Sequence, residues 1–260
     1  MNKKITVQFT LFTLGITLLT WGGMIILGRM GILMDDHLWL WIPFLAGGWS
    51  PTYMSYVLLK RHGEVSGPKE WFKNVFYVKA KLRYYLFAVL LVVLYYGTHM
   101  VVSGLSEMRP IWMMFVMIPV MLGGGGMEEA GWRYILQPEL DRKYGFLIAV
   151  IVTAIIWFAW HVPLFFIPGT AQYLYLNLWM FAVRVLGYTF FFGAITRISG
   201  KAGIFLSVLA HTLLNSTAET FRLNHTWAAT FVTFGVLVAV SFITILIYER
   251  KKNKELSMAT

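Results

Sequence analysis

Residues 146–167 read FLIAVIVTAIIWFAWHVPLFFI, an apolar run without a single Asp, Glu, Lys or Arg. A helix needs roughly 20 apolar residues to cross the hydrocarbon of a bilayer. This run meets that length and continues beyond it. Seven more runs of the same kind occur, at 5–33, 38–59, 82–102, 111–137, 173–196, 202–218 and 227–248. The connectors between them are short and polar. Hydrophobic residues make up 58% of the 260-residue chain and charged residues 13%. A soluble domain carries about 25% charged residues. The expected fold is therefore all-α, a polytopic membrane helical bundle of about eight transmembrane helices, forming a single transmembrane domain over 1–260.

The net charge of +10 suits nucleic acid in a soluble protein. Here the basic residues fall between apolar runs, which makes them a topology signal and points away from nucleic acid. With the N-terminus inside, 18 of the 22 Lys and Arg lie on the inner side. Only Arg29, Arg109, Arg184 and Arg222 do not. Both termini are thus expected in the cytoplasm, with the lipid bilayer as a constant partner. The first run, preceded by Lys3 and Lys4, is too long for a signal peptide core and is read as a retained anchor. The longest connector, 60–81, ends in a stretch that alternates aromatics with lysines. Its second half, 70–81, is expected to form a helix lying at the interface. Cysteine is absent, which excludes a disulfide, a thiolate metal site and a cysteine nucleophile.

Polar residues inside the spans carry the chemistry, because a charge in hydrocarbon is expensive. Glu128 and Glu129 lie well within one span. Glu129 and Arg133 are four residues apart and share a helical face, so they can pair. Glu128 is rotated about 100° from Glu129 and stays free for another partner. One carboxylate held by an arginine and one facing a cavity is the division of labour that a general base needs. A charge cluster snorkelling from a helix end explains the same residues equally well. His161 sits in the aromatic stretch Trp157-Phe158-Ala159-Trp160-His161-Val162-Pro163. Trp157 is one turn earlier and can pack on the imidazole, while Pro163 frees a backbone carbonyl. His211 and Asn215 are four apart on one face of a short span. Two such side chains can stabilise an oxyanion, or serve as interhelical polar glue. Asn is a poor zinc ligand. Gly123–Gly126, just before Glu128, permits close helix approach or a non-helical segment lining a cavity. Arg184 is mid-span, where it can serve as a counter-charge to a substrate or within the bundle; pairing with a carboxylate or with backbone carbonyls is the favoured expectation for it. His37, His62, His99 and His225 fall at span ends or in connectors and carry no signal.

Taken together, Glu128, His161, His211 and Asn215 come from three separate spans and supply a base, a proton partner and oxyanion donors. The order Glu128-Glu129-x-x-x-Arg133, then an aromatic-x-x-x-His161, then His211-x-x-x-Asn215, resembles the three-motif signature of the CPBP (Abi) family. Its members are CAAX-processing and bacteriocin-processing membrane proteases. The resemblance covers about 110–220, and the Trp160-His161-Val162-Pro163 style is similar to bacterial members. One departure is Trp157, where the second motif usually begins with Phe; the expectation is altered packing with the chemistry intact. The resemblance implies an endopeptidase acting within the membrane on a membrane-associated protein or a leader peptide. In it Glu128 activates water with help from His161, while His211 and Asn215 hold the oxyanion and Glu129 and Arg133 support them. It leaves open a divalent metal such as zinc, for which Glu128, His161 and His211 would be the ligands. No HExxH pair is present, so a zincin site is absent, and a metal-free glutamate mechanism is favoured. Two other classes fit the same composition. One is a non-catalytic immunity or regulatory protein of the same fold. The other is a proton-coupled transporter, which inverted repeats would favour and none are found. The expected location is a bacterial cell membrane.

Overall fold

The structure is a computed structural model that describes residues 3–259. Its long elements are helices. α1 runs Lys3–Arg29, α2 Trp41–Gly48, α3 Ser50–Arg61, α4 Pro68–Val75 and α5 Leu82–Ser103. Next come α6 at Trp112–Gly123, the single turn α7 at Glu129–Gly131, α8 at Gln137–Tyr144 and α9 at Phe146–His161. The chain ends with α10 at Ala171–Tyr175, α11 at Leu178–Ser199, α12 at Gly203–Ala218 and α13 at Trp227–Ala259. Among the described residues, five stretches are long and apolar enough to cross a membrane. They are Lys4–Arg29, Leu82–Ser103, Phe146–Phe166, Leu178–Ala218 and Trp227–Glu255. The fourth holds both α11 and α12, separated at Gly200, whose φ of +56° lets the chain reverse there without steric cost.

The outside of the bundle is apolar and the inside partly polar, the reverse of a soluble core. Leu19, Leu38 and Val101 are among the most exposed side chains, while Thr13, Thr17, Ser50 and Ser55 are sealed inside. Lipid removes the penalty on exposed leucine, and small hydroxyl residues let helices approach and bond across their seams. Thr17 and Ser50 share a 3.0 Å hydrogen bond between α1 and α3. The indoles of Trp160 and Trp71 donate to Ser50 and Ser55, at 3.1 Å and 3.0 Å. Thr52 donates to the Met127 carbonyl at 2.9 Å, which ties α3 to the segment before α7. This is an integral membrane protein with an all-α bundle.

Each of the eight apolar runs is largely helical, but three are broken where a straight span would be expected, the one at 173–196 at Leu176 and Asn177 between α10 and α11. The run at 38–59 splits at Trp49, since Pro51 cannot donate a backbone hydrogen bond and begins α3 afresh. The run at 111–137 is broken more deeply. α6 stops at Gly123, a 3₁₀ turn covers Gly126–Glu128, and a π-helical stretch spans Trp132–Leu136 before α8. Pro138 at the start of α8 lacks the N–H that would close an α-turn onto Tyr134. That missing bond favours the widened turn just before it. The interfacial helix expected at 70–81 is shorter and earlier, at Pro68–Val75, with residues 76–81 non-helical. It docks through Trp71 and Val75, both buried.

One feature has no counterpart in the sequence reading. β1 (Leu105–Met108) follows α5 and pairs antiparallel with β2 (Phe221–Leu223), which precedes α13. The ribbon closes one end of the bundle. Arg109 continues it, with its backbone N–H on the Thr220 carbonyl at 2.8 Å and its side chain on Glu107 at 2.8 Å.

Candidate active site

The broken segment between α6 and α8 meets α12 at the tetraglycine. A Cβ on Gly126 would lie 2.1 Å from the Thr212 hydroxyl and 3.0 Å from the Val208 carbonyl. A Cβ on Gly125 would lie 2.3 Å from Asn215 Nδ2 and 3.3 Å from His211 Nε2. At Gly126 the clash includes backbone, which cannot give way, whereas at Gly125 the ends of Asn215 and His211 would have to shift. Of the two readings open for Gly123–Gly126, both apply in part: the chain is non-helical at Gly124 and Gly125, and Gly125 and Gly126 touch a neighbouring helix. The contact also shows that the functional ends of His211 and Asn215 converge on one spot, above the backbone of Gly125.

Glu128 and Glu129 follow at once, and they differ in surroundings. Glu129 is wholly buried. It accepts from Arg133 Nε at 2.6 Å through one oxygen and lies 2.9 Å from His211 Nδ1 through the other. Arg133, equally buried, also donates to Gln137 and lies over the rings of Trp157 and Phe192 at 5.5 Å and 5.1 Å. Two of the three guanidinium nitrogens are thus bonded; Nη2 is buried without a hydrogen-bond partner, and the two ring faces cover the group instead. Glu128 faces the other way. Its Oε2 accepts from the Trp157 indole at 2.9 Å, and the residue keeps 8% exposure where Glu129 has none. Glu129 is thus saturated at both oxygens, while Glu128 has a hydrogen bond at one oxygen only.

His161 is the last residue of α9, where Pro163 ends the α-helical hydrogen bonding and a 3₁₀ turn takes over. Its Nδ1 lies 2.8 Å from the Trp157 carbonyl, so Nδ1 carries the proton and Nε2 presents a lone pair. The Trp157 ring stands edge-on between the two histidines, 5.5 Å from His161 and 5.6 Å from His211. Phe181 of α11 covers the far side of His161 at 5.0 Å, and Phe192 lies 5.7 Å from His211. Glu128, Trp157, His161, His211 and Asn215 thus surround one small volume, with Glu129, Arg133 and Gln137 behind it.

Two residues of this centre were missed in the sequence. Trp157 was assigned only to packing; its N–H in fact bonds the carboxylate of Glu128, so the departure from Phe reaches the polar centre itself. Gln137 completes an i, i+4, i+8 ladder with Glu129 and Arg133, a spacing that was available to find it. The three residues considered as metal ligands do not make a ligand set. Glu129 engages one nitrogen of His211 and Trp157 engages one oxygen of Glu128, and no group of three His, Asp or Glu side chains among the described residues converges as metal ligands do. No step of the chemistry is routed through a metal. Arg184 corrects its expectation as well. It is 5% exposed and meets neither a carboxylate nor a carbonyl, only the Tyr95 hydroxyl at 3.5 Å. His99 and His225, set aside as signal-free, pack beside one another at 6.1 Å, with His99 fully buried and bonded to Thr233 at 2.9 Å.

Fold and centre together define a polytopic membrane protein whose polar residues are gathered from three separate spans. Residues 110–217 match the family model described as Rce1-like, type II CAAX prenyl endopeptidase. That segment holds all three motifs, from Glu128 to Asn215. It is also 28% identical, over 134 residues, to a protein of Methanococcus maripaludis named CAAX prenyl protease 2. The match covers 48% of this chain and 46% of that relative, so it spans about half the length of each.

Proposed function

We propose that the protein is an intramembrane endopeptidase of the CAAX type, which hydrolyses a peptide bond of a membrane-associated protein or peptide with water activated by Glu128. The observation that carries this reading is the unequal treatment of the two adjacent carboxylates. Glu129 is sealed and saturated by Arg133 and His211, whereas Glu128 holds one hydrogen bond, from Trp157. A base must be within hydrogen-bond reach of the proton that it takes; of the two carboxylates, Glu128 is the one with an oxygen left open for that role.

In the proposed reaction a water molecule gives a proton to Glu128 while its oxygen attacks the scissile carbonyl. The lone pair on His161 Nε2 orients that water. The carbonyl oxygen becomes an oxyanion, which Asn215 Nδ2 and His211 Nε2 hold above Gly125. His211 can donate from Nε2 only as imidazolium, because Nδ1 already faces the Glu129 carboxylate. With His211 charged, two carboxylates are balanced by one guanidinium and one imidazolium, and a neutral set is what a buried centre tolerates. The proton on Glu128 then passes to the leaving nitrogen, the C–N bond breaks, and the carboxylate is restored. Preorganised donors of this kind typically contribute 10²–10³-fold each.

The position of the centre inside a bundle with an apolar outer surface supports a substrate held at the membrane, a leader peptide included. The distribution of Lys and Arg supports a cell-membrane location with both termini in the cytoplasm. Cleavage of a membrane-peptide library by the purified protein, beside Glu128→Ala and with and without a chelator, is the test. Cleavage by wild type that is lost in Glu128→Ala and insensitive to chelator is the expected outcome. Full activity of the variant removes Glu128 from the reaction, and loss with chelator reversed by zinc makes the enzyme a metalloprotease.

A further inference from the structure

Arg184 lies midway along α11, 5% exposed, with its Nε and Nη2 atoms lacking any partner. Among the described residues no acidic side chain forms an ion pair with it. Elsewhere the chain follows the rule that a charge inside a bundle is matched, as Glu129 matches Arg133. Around Arg184 the groups are Tyr95, Tyr96, Tyr188, His99 and His225, none of which brings a negative charge; Glu219 acts on Tyr96 from further off and lies 3.9 Å from Arg109, not in an ion pair with Arg184. The two free atoms are not arbitrary. Nε and Nη2 form the edge of the guanidinium that engages a carboxylate through two parallel hydrogen bonds. The third nitrogen, Nη1, is the one that Tyr95 occupies.

This unfilled fork lies beside the candidate active site. Phe181, three residues before Arg184 on α11, packs on His161, and Phe192, eight residues after, packs on His211. Tyr96, next to Tyr95 and in ring contact with it, donates to the carbonyl of Leu214 at 2.9 Å, one residue from Asn215. We propose that Arg184, with Tyr95 steadying Nη1, is an anion site that takes a carboxylate of the peptide bound at the neighbouring centre. The carboxylate supplies the missing counter-charge and fixes the peptide in register. Naming the peptide as its source rests on the proposed hydrolase; the anion site itself does not.

The full-length protein in detergent is tested first with small probes. Hexanoate is expected to raise the melting temperature of wild type, while hexanamide and an equal concentration of chloride are not. Arg184→Met abolishes the hexanoate shift. Arg184→Lys, which keeps the charge and loses the fork, reduces it several-fold and serves if the methionine variant does not fold. An equal shift with hexanamide, or a hexanoate shift unchanged in both variants, overturns the site; an equal shift with chloride makes it an inorganic-anion site and overturns the carboxylate. The source is then tested in the inactive Glu128→Ala protein. A labelled membrane peptide should bind at least 10-fold more tightly than its fully amidated counterpart, and Arg184→Met should remove that preference. Equal binding of the two peptides, with hexanoate still bound, overturns the peptide as source. Intact carboxylate binding in a wild-type protein that cleaves nothing counts against the hydrolase alone.

Discussion

Trp157 shows how much a single side chain decides in this centre. Its ring separates two histidines and its N–H reaches Glu128. Trp157→Phe keeps the ring and removes the N–H. A hydrogen bond to a charged group contributes about 1.5–3 kcal/mol, and each 1.36 kcal/mol is tenfold in rate. The expected result is a fall in kcat of roughly 10–100-fold in protein that is still folded, with a lower melting temperature; an unchanged kcat would make the bond irrelevant to turnover. Arg133 behaves differently because it is sealed. Removing one partner of a buried pair leaves an uncompensated charge, at about 3–5 kcal/mol. Arg133→Met should therefore lower the melting temperature in detergent sharply, and adding Glu129→Gln should restore part of the loss. Glu128, Glu129 and Arg133 were legible in the sequence because charge inside an apolar run stands out. The indole of Trp157 was not, since a tryptophan in such a run is ordinary packing until a partner from 29 residues away appears opposite it.

At the scale of elements, the spans themselves were legible and their interruptions were not. Hydropathy reports whether a segment is apolar; it does not report whether the helix inside it is continuous. Pro51, Pro138 and Pro163 each mark a place where backbone bonding fails, and the broken segment from Gly123 to Leu136 is where the functional carboxylates lie. Irregular backbone at this depth is tolerated only when protein or a polar cavity surrounds it, and α3 and α12 provide that cover. Overpacking in such a contact costs about 1–3 kcal/mol. Gly126→Ala, whose new carbon would meet Thr212 and Val208, should lower the melting temperature and abolish cleavage. Gly15→Ala in α1, with no neighbour within 4 Å, should do neither. Equal behaviour of the two variants would refute the close approach.

For the whole molecule, the orientation read from Lys and Arg assigns the 60–67 connector to the cytoplasm and the β1–β2 ribbon to the opposite face. The absence of cysteine makes this simple to measure. Ser66 and Ser106 are both exposed, one in each region. A membrane-impermeant maleimide should label Ser106→Cys in intact cells and Ser66→Cys only after permeabilisation. The opposite pattern inverts the bundle. The long α13 is consistent with this frame. At 1.5 Å per residue its 33 residues extend about 50 Å, well beyond a hydrocarbon core of about 30 Å, and its surplus length carries Arg250, Lys251, Lys252 and Lys254.

The ribbon also has a bearing on how the chain is made. β1 emerges soon after α5, and β2 only after α12, more than one hundred residues later. During synthesis at the ribosome the first strand must wait across the membrane, its edge unpaired, until the second is translocated. His211 and Asn215 arrive just ahead of that second strand. A nascent chain therefore carries Glu128 and His161 before His211 and Asn215 exist, and the four polar side chains can meet only once α12 has been made. For the proposed hydrolase this places the onset of activity late in synthesis.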